Sequence, residues 1–441
     1  MNTTIQSHIA SVRQRFATTT SRHLCTDENS TGQLLKSCRE QTQYLHRLTC
    51  DIAVRKANVF SQASTIALTA YLAHVTTCTE EKAQQYSKHG FLLVFKGLLS
   101  TAGKELGMIE DASIGISLLR NMHIILCPDT PAMVQHLENQ AKDNSVLPIP
   151  ESPYLRWLYV SVESDTNNFK VYVGLHLSFY QQRVPNCLKN NVSVQLFPIL
   201  YQMGVDIRQW GANAVKSASS GNRNAPQNRG VSTEGSTNVT NTGLPNNGSM
   251  IDDEDDDEDD NAMTDNDVLV QLNMEAFWKM NSYAHNSKTG QNTYPFERSE
   301  SESPPSIHPM LVDLYELIRF SSGKMEHGVL DEAASLAVQL GGAGAIFCKS
   351  GKDRTAMQVT YQQAQHVCTG NEANKVVEVA TMMRIHGTRL PICEKNVGQS
   401  LFAFNSLQAK FMPDVLKPPP RTLAGFLKGG RVFSREGAIE T

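Results

Sequence analysis

The sequence has no apolar run approaching the roughly 18 residues a membrane span needs, and no continuous apolar stretch at its N-terminus of the signal-peptide kind. The expectation is a soluble, cytoplasmic chain whose contact with a membrane surface is peripheral. Paired cysteines are also missing. Cys25, Cys38, Cys50, Cys78, Cys127, Cys187, Cys348, Cys368 and Cys393 are nine, an odd number, and no two stand in a C-x-x-C arrangement. This argues against a zinc ribbon and against a disulfide scaffold, and in favour of a reducing compartment. No internal repeat is present.

Hydrophobic side chains nearly vanish over 216–267, where Asn, Ser, Gly and Thr dominate and DDEDDDEDD fills 252–260. Such a stretch buries too little apolar surface to offset the entropy of ordering, so it is expected to be a disordered insertion. Its nine acidic groups also mask the balance elsewhere, taking a remainder of +5 down to the formal -4. A mildly basic remainder suits an anionic substrate without implying nucleic acid. The acidic run itself reads as a solvated stretch, with docking to a basic partner or competition with anionic ligands as the functional alternative.

What is present is enough for real cores. Hydrophobic residues make up 40% of the 441 and charged residues 19%, which allows two or three domains or one large enzyme domain with insertions. Residues 31–125 read as helical: Leu34, Cys38, Leu45, Leu48 and Ile52 share one stripe. Phe91–Leu126, broken by Lys96, Lys104, Glu105, Glu110 and Asp111, reads as core helix. The period then changes, and Leu155–Val162, Phe169–Leu177 and Val192–Leu200 alternate as strands do. The segment Glu275–Met280, with Trp278, reads as an amphipathic core helix, and another helix is expected near Pro309. Strand and helix patterns resume beyond the insertion, so the insertion is expected to interrupt one catalytic region. The division is a tail (1–30), a helical then sheet part (31–215), the insertion (216–267), the core (268–425) and a C-terminal tail (426–441).

The chemistry concentrates in one stretch. An Ala- and Leu-rich helix, Leu330–Leu340, stops at Gly341-Gly342. A short apolar run, Ala343–Phe347, follows, of the right length for a buried strand. Next come Cys348, Lys349, Ser350, Gly351, Lys352, Asp353, Arg354 and Thr355, then a helix with Met357, Tyr361, Ala364 and Cys368 on one face.

A thiol is inert until ionised, and a helix N-terminus with nearby cations lowers a cysteine pKa from about 8.5 towards roughly 3.5–7.5. Lys349, Lys352 and Arg354 supply the cations. A short loop can turn its N–H groups onto one anion, Arg354 adds a bidentate grip on two phosphate oxygens, and Gly351 permits unusual backbone angles. Thr355 can donate to the sulfur. These parts describe phosphoryl transfer through a phosphocysteine. C-x5-R alone is a weak signal; the flanking strand, helix, lysines and threonine make it specific.

CKSGKDRT resembles the CKSxKDRT signature of the inositol polyphosphate 4-phosphatases, and also the secreted inositol phosphate phosphatases of enteric bacteria. GLLSTAGKELGMIEDASIGI (Gly97–Ile116) and NVGQSLFAFNSLQAKFMPDVLKPPP (Asn396–Pro420) are similar to segments of the eukaryotic family, and LFPILYQMGVDI (Leu196–Ile207) less closely so. The resemblance implies removal of the 4-phosphate from phosphatidylinositol 3,4-bisphosphate without a metal or other cofactor. It makes Cys348 the nucleophile, Arg354 the phosphate clamp, and Lys349 and Lys352 contacts to further phosphates, with Ser350 and Gly351 lining the pocket. Eukaryotic members usually carry a lipid-binding C2 domain, and no sandwich-like series of strands precedes residue 30. Gly351 stands where those enzymes commonly have Ala, as in the bacterial version.

The implied fold is α/β: a cysteine-phosphatase-like central sheet bearing the phosphate loop, with a helical N-terminal region packed on it. Asp353 has two readings, proton donor to the leaving oxygen or anchor of the loop. His366 and His386 read as structural or surface residues. Arg384, Arg389 and Lys395 read as solvated charges or ion pairs, with reach to a phosphate as the alternative. Two other functions compete: a protein tyrosine or dual-specificity phosphatase, and a catalytically silent phosphoinositide-binding protein.

Overall fold

Every residue of Phe91–Gly97 is buried, and the segment is a strand, not a helix. A strand covered on both faces is a continuous apolar run, which periodicity does not distinguish from a buried helix. Met122–Pro128 is a strand for the same reason. The helical reading of 91–126 is therefore corrected to strand, helix, strand.

The computed structural model describes residues 28–101, 104–140, 146–163, 168–203, 265–289, 306–321, 327–368, 374–405, 409–410, 412–428 and 431–434. Its first elements are α1 (Glu28–Val75), α2 (Glu80–His89), β1 (Phe91–Gly97), α3 (Lys104–Ser117), β2 (Met122–Pro128), α4 (Pro131–Gln140) and β3 (Leu147–Pro148). There follow β4 (Leu155–Val162), β5 (Phe169–Leu175), α5 (Leu177–Arg183), β6 (Ser193–Gln202) and α6 (Asp265–Thr289). The remainder comprises α7 (Val312–Arg319), α8 (His327–Gln339), β7 (Ala343–Phe347), α9 (Asp353–Val367), α10 (Val376–His386), α11 (Arg389–Val397), β8 (Phe402–Asn405), β9 (Leu423–Lys428) and β10 (Arg431–Ser434).

The strands expected at 155–162 and 343–347 have those limits, and Trp278 lies in α6. The tail expected at 426–441 instead contributes to β9 and β10, which pair as an antiparallel hairpin. Apart from α6, which begins at Asp265, the expected insertion lies outside the described residues.

The main sheet has seven strands in the order β3-β4-β5-β2-β6-β1-β7. Strands β6, β1 and β7 are mutually parallel, whereas β2 meets β6 antiparallel through three residue pairs, Ile125 to Ser193, Ile124 to Val194 and His123 to Gln195. Beyond Gln195 that edge of β6 is not paired with β2. Pro198 sits there, on the side facing away from β1, where a missing N–H leaves no ladder bond unmade. At the far end the Asn273 carboxamide of α6 closes the edge, accepting from Gln202 N at 2.8 Å and donating to Gln202 O at 2.7 Å.

Helices cover both faces. Ala63, Ala67 and Tyr71 of α1 and Ala112 and Ile116 of α3 pack with Phe91, Leu93 and Phe95. Phe277 and Met280 of α6, Leu314 of α7 and Leu330 and Leu336 of α8 pack on Leu92 and Val94 from the other side. The result is an α/β sheet between helical layers, as the sequence predicts. Strand β7, expected to be buried, is the edge strand among the described strands and only half-buried.

Candidate active site

Because β6, β1 and β7 run in parallel and in register, they end together at Gln202, Gly97 and Phe347. The ladder adds one bond past each end, Leu98 N to Phe347 O at 2.9 Å and Met203 N to Gly97 O at 3.1 Å. This carboxyl edge is where open parallel sheets bind ligands. Cys348 is the first residue past β7, and Asp353 opens α9, so Cys348–Lys352 form the link between strand and helix. Gly351 takes φ +66°, which favours glycine, and its Cβ position faces open space.

The residues named from the sequence divide by burial. Lys349 and Ser350 are exposed at the tip. Cys348 is 7% exposed, Lys352 3% and Thr355 6%, and the buried Thr355 hydroxyl has no hydrogen-bond partner among the described residues. The Lys352 ammonium rests on Asp353 Oδ2 at 2.8 Å. The other Asp353 oxygen accepts from Ala403 N at 2.8 Å, which ties the loop to β8. Both oxygens of Asp353 are thus engaged.

Arg354 projects from the first turn of α9 into a ring of acceptors that sequence reasoning did not single out. Its Nη1 donates to Leu98 O at 2.7 Å and Glu105 Oε2 at 2.8 Å, and its Nη2 donates to Glu105 Oε1 at 2.6 Å. Ser100 N donates to Glu105 Oε2 at 2.9 Å and fixes that carboxylate. A guanidinium has five N–H groups. Among the described residues three are used, which leaves the Nε–H and the second Nη2–H, a pair on one edge of the kind that can grip two oxygens of an anion. Glu105 therefore aims Arg354 without consuming its free edge.

The electrostatics agree with that arrangement. Burial pulls the Arg354 guanidinium down, but the bonds and charge of Glu105, then the charges of Cys348 and Asp353, outweigh it and hold the group above its ordinary value. Burial raises Glu105, yet the Arg354 bonds and charge, the Ser100 N–H and Lys349 together keep its carboxyl below the usual range.

Other named residues differ in exposure and partners. Arg384 is neither solvated nor free to reach a ligand. It is fully buried and donates to Thr360 Oγ1, Met357 O, Val415 O and Lys417 O, at 2.6 to 2.9 Å. His366, His386 and Lys395 are exposed. The signal that could have found Glu105 was in hand: it lies in the Gly97–Ile116 segment, but an acid in the first turn of a helix reads by default as a partner of the helix dipole.

Comparison with known proteins gives the same direction. Inositol polyphosphate 4-phosphatase type II of Homo sapiens is 22% identical over 375 residues, covering 84% of this chain and 32% of that protein. Type II inositol 3,4-bisphosphate 4-phosphatase of Rattus norvegicus is 23% identical over the same 375-residue length, with the same coverage. The chain thus spans 32% of the length of these curated relatives. The profile of the INPP4A C-terminal domain matches residues 45–219 and 261–416. The match stops short of the N-terminal tail, omits most of the acidic insertion and takes in the whole loop from Cys348 to Thr355. With well over half its length inside that profile, the chain belongs to the INPP4A C-terminal domain family.

Proposed function

We propose that this chain is a phosphoinositide phosphatase working through Cys348, with the 4-phosphate of phosphatidylinositol 3,4-bisphosphate as its substrate group. The observation that carries the reading is the placement of Cys348 and Arg354 at the two ends of one short loop, on the carboxyl edge of three parallel strands. The names of the relatives, which act on inositol polyphosphate or inositol 3,4-bisphosphate, support the substrate class.

The Cys348 sulfur attacks phosphorus, the bond from phosphorus to the ring oxygen breaks, and that oxygen takes a proton from solvent water as it leaves. Water then attacks the phosphocysteine, releasing inorganic phosphate and restoring the thiolate. The free edge of Arg354 holds two non-bridging oxygens in both steps. Thr355 donates to the sulfur as it leaves. Lys349, exposed at the loop tip, meets a second ring phosphate. The buried Lys352 adds positive potential, and Ser350 and Gly351 line the pocket. With both of its oxygens engaged, Asp353 is assigned to anchoring the loop.

No helix among the described residues is long and apolar enough to cross a membrane. We place the enzyme in the cytoplasm, meeting its lipid by peripheral contact. A protein phosphatase fits less well, because Lys349, exposed at the loop tip, suits a ring that carries a second phosphate. The test is phosphate release from phosphoinositide vesicles, soluble inositol phosphates and a phosphotyrosine peptide, with positional analysis of the product. Release from the inositol substrates that is abolished by Cys348→Ser supports the reading. Equal release by Cys348→Ser, or release from the peptide alone, overturns it.

A further inference from the structure

Lys96 is 2% exposed in the middle of the catalytic half of the sheet, where an apolar side chain would pack at less cost. It stands on β1 level with Ile346 of β7. Its ammonium crosses β7 at Gly344, where a methyl group would stand 3.0 Å from Nζ and 3.4 Å from Cε. It then donates to Gln362 Oε1 of α9 at 3.0 Å. The Gln362 amide is turned that way by its own donation to Asp331 Oδ1 of α8, at 3.3 Å. Gln358, one turn nearer Arg354, donates to the same oxygen at 2.7 Å.

We propose that Lys96 is a positioning residue for the Cys348 loop, pinning strand β7, which delivers Cys348, to helix α9, which delivers Arg354. The inference rests on the phosphatase reading of that loop. The loop is strung between β7 and α9, so its curvature follows from how the helix sits against the strand. Apolar packing holds the two together but tolerates small sliding and rotation. A directional chain from Lys96 through Gln362 to Asp331, with Gln358 joining it, specifies one setting. Gly344 is part of the device, because a Cβ there would stand 3.0 Å from the ammonium and press it aside by a few tenths of an ångström.

Two substitutions test this in the full chain. Lys96→Met keeps the stem and removes the donor. Gly344→Ala keeps the lysine, stays within ordinary backbone angles, and crowds the ammonium from its path. Both are assayed for cooperative melting, for kcat and KM on an inositol phosphate, and for alkylation of Cys348 by iodoacetate, an anion drawn to the same loop, at neutral pH. The expected result is folded protein with KM within about threefold of wild type and kcat lowered on the order of tenfold to hundredfold, the scale of a small misplacement. Alkylation slows in parallel.

Wild-type kcat and wild-type alkylation in folded Lys96→Met would overturn the proposal. Should that variant fail to fold, Gly344→Ala decides by the same measurements. If the wild type hydrolyses no phosphate ester, the phosphatase reading has failed, and the alkylation rates still decide for or against Lys96.

Discussion

Glu105 holds Arg354 by both carboxylate oxygens, at 2.6 and 2.8 Å, across a sequence separation of 249 residues. The pair joins the start of α3 to the start of α9, and the backbone of Leu98 and Ser100 completes it. It decides which edge of the guanidinium is taken up by protein acceptors. The loop is therefore set from two sides, by Glu105 behind Arg354 and by β8 behind Asp353.

Glu105→Gln keeps the shape and turns one acceptor into a donor facing the guanidinium. We expect kcat/KM to fall on the order of tenfold to hundredfold and stability at neutral pH to fall by about 2–3 kcal/mol. The Glu105 carboxyl lies below its ordinary value of 4.5 in the folded chain, because Arg354 outweighs the effect of burial. A carboxyl held down stabilises the fold in full above its unfolded pKa and loses that contribution as pH falls through the folded one. The gap between wild type and Glu105→Gln should be constant from neutral pH to about 5 and close below about 4.3. Urea titrations over that range check it; a gap that persists in acid would mean the charge is not what Glu105 contributes.

Asp353 divides anchoring from proton donation. With one oxygen on Ala403 N and the other on Lys352, Asp353→Asn should lower activity equally on an inositol phosphate and on an activated aryl phosphate. An acid is needed only where the leaving oxygen is basic. Loss confined to the inositol substrate would return Asp353 to the donor role.

The parts of this molecule legible in the sequence were those whose pattern is local. The run from Ala343 to the helix after Arg354 reads directly, because strand, loop and helix follow one another and each loop residue has a chemical use. The alternating strands β4 and β5 read as well, since one side of each is less buried than the other. Strand β1 did not, because burial on both faces erases alternation. Nor did Glu105 or Lys96 stand out. Each acts through partners more than two hundred residues away, and a lone charge in an apolar stretch looks like an interruption until its partner is known. Arg384 was misread for a different reason: its four acceptors are three carbonyls and a threonine hydroxyl, which carry no signature in sequence.

Arg384 therefore supports a prediction about stability, not chemistry. Its guanidinium fastens α10 to α9 and to the segment 415–417, and burial lowers its pKa to about 10. Arg384→Met should cost about 3–5 kcal/mol by orphaning buried carbonyls. At a temperature where the variant is folded, kcat should stay within about threefold of wild type. Guanidinium titration and kinetics on the same preparation check both; a large kcat loss in stable protein would place Arg384 nearer the chemistry.

Gly351 offers the reverse case. Its φ is +66°, but among the described residues, its two chain neighbours aside, no atom lies within 4 Å of the position its Cβ would take. Gly351→Ala therefore meets only the backbone cost of a left-handed residue, about 1–2 kcal/mol, with no clash. Activity should survive within a few-fold. A loss of a hundredfold or more would show that the loop needs glycine for a contact made only with substrate bound.

The last prediction concerns Lys96 and alkaline pH. Burial lowers its pKa from 10.5 to about 8, with the Asp331 charge opposing that shift in part. Between those values the unfolded chain holds a proton that the folded chain has shed, so the lysine makes stability rise with pH. The full gain is about 3 kcal/mol by pH 10.5. Buried tyrosines pull the other way. Burial raises Tyr71, Tyr201 and Tyr283, so they stay neutral in the fold while the unfolded chain ionises them above 10, and their contribution declines there. Wild type alone would show the two trends superposed. Subtracting the stability of Lys96→Met removes the tyrosines, which both proteins share, and leaves the lysine. That difference should move in favour of wild type as pH climbs from 8 to 10. A flat difference would mean that Gln362 and Asp331 compensate the buried charge in full, and that Lys96 stays protonated across the range.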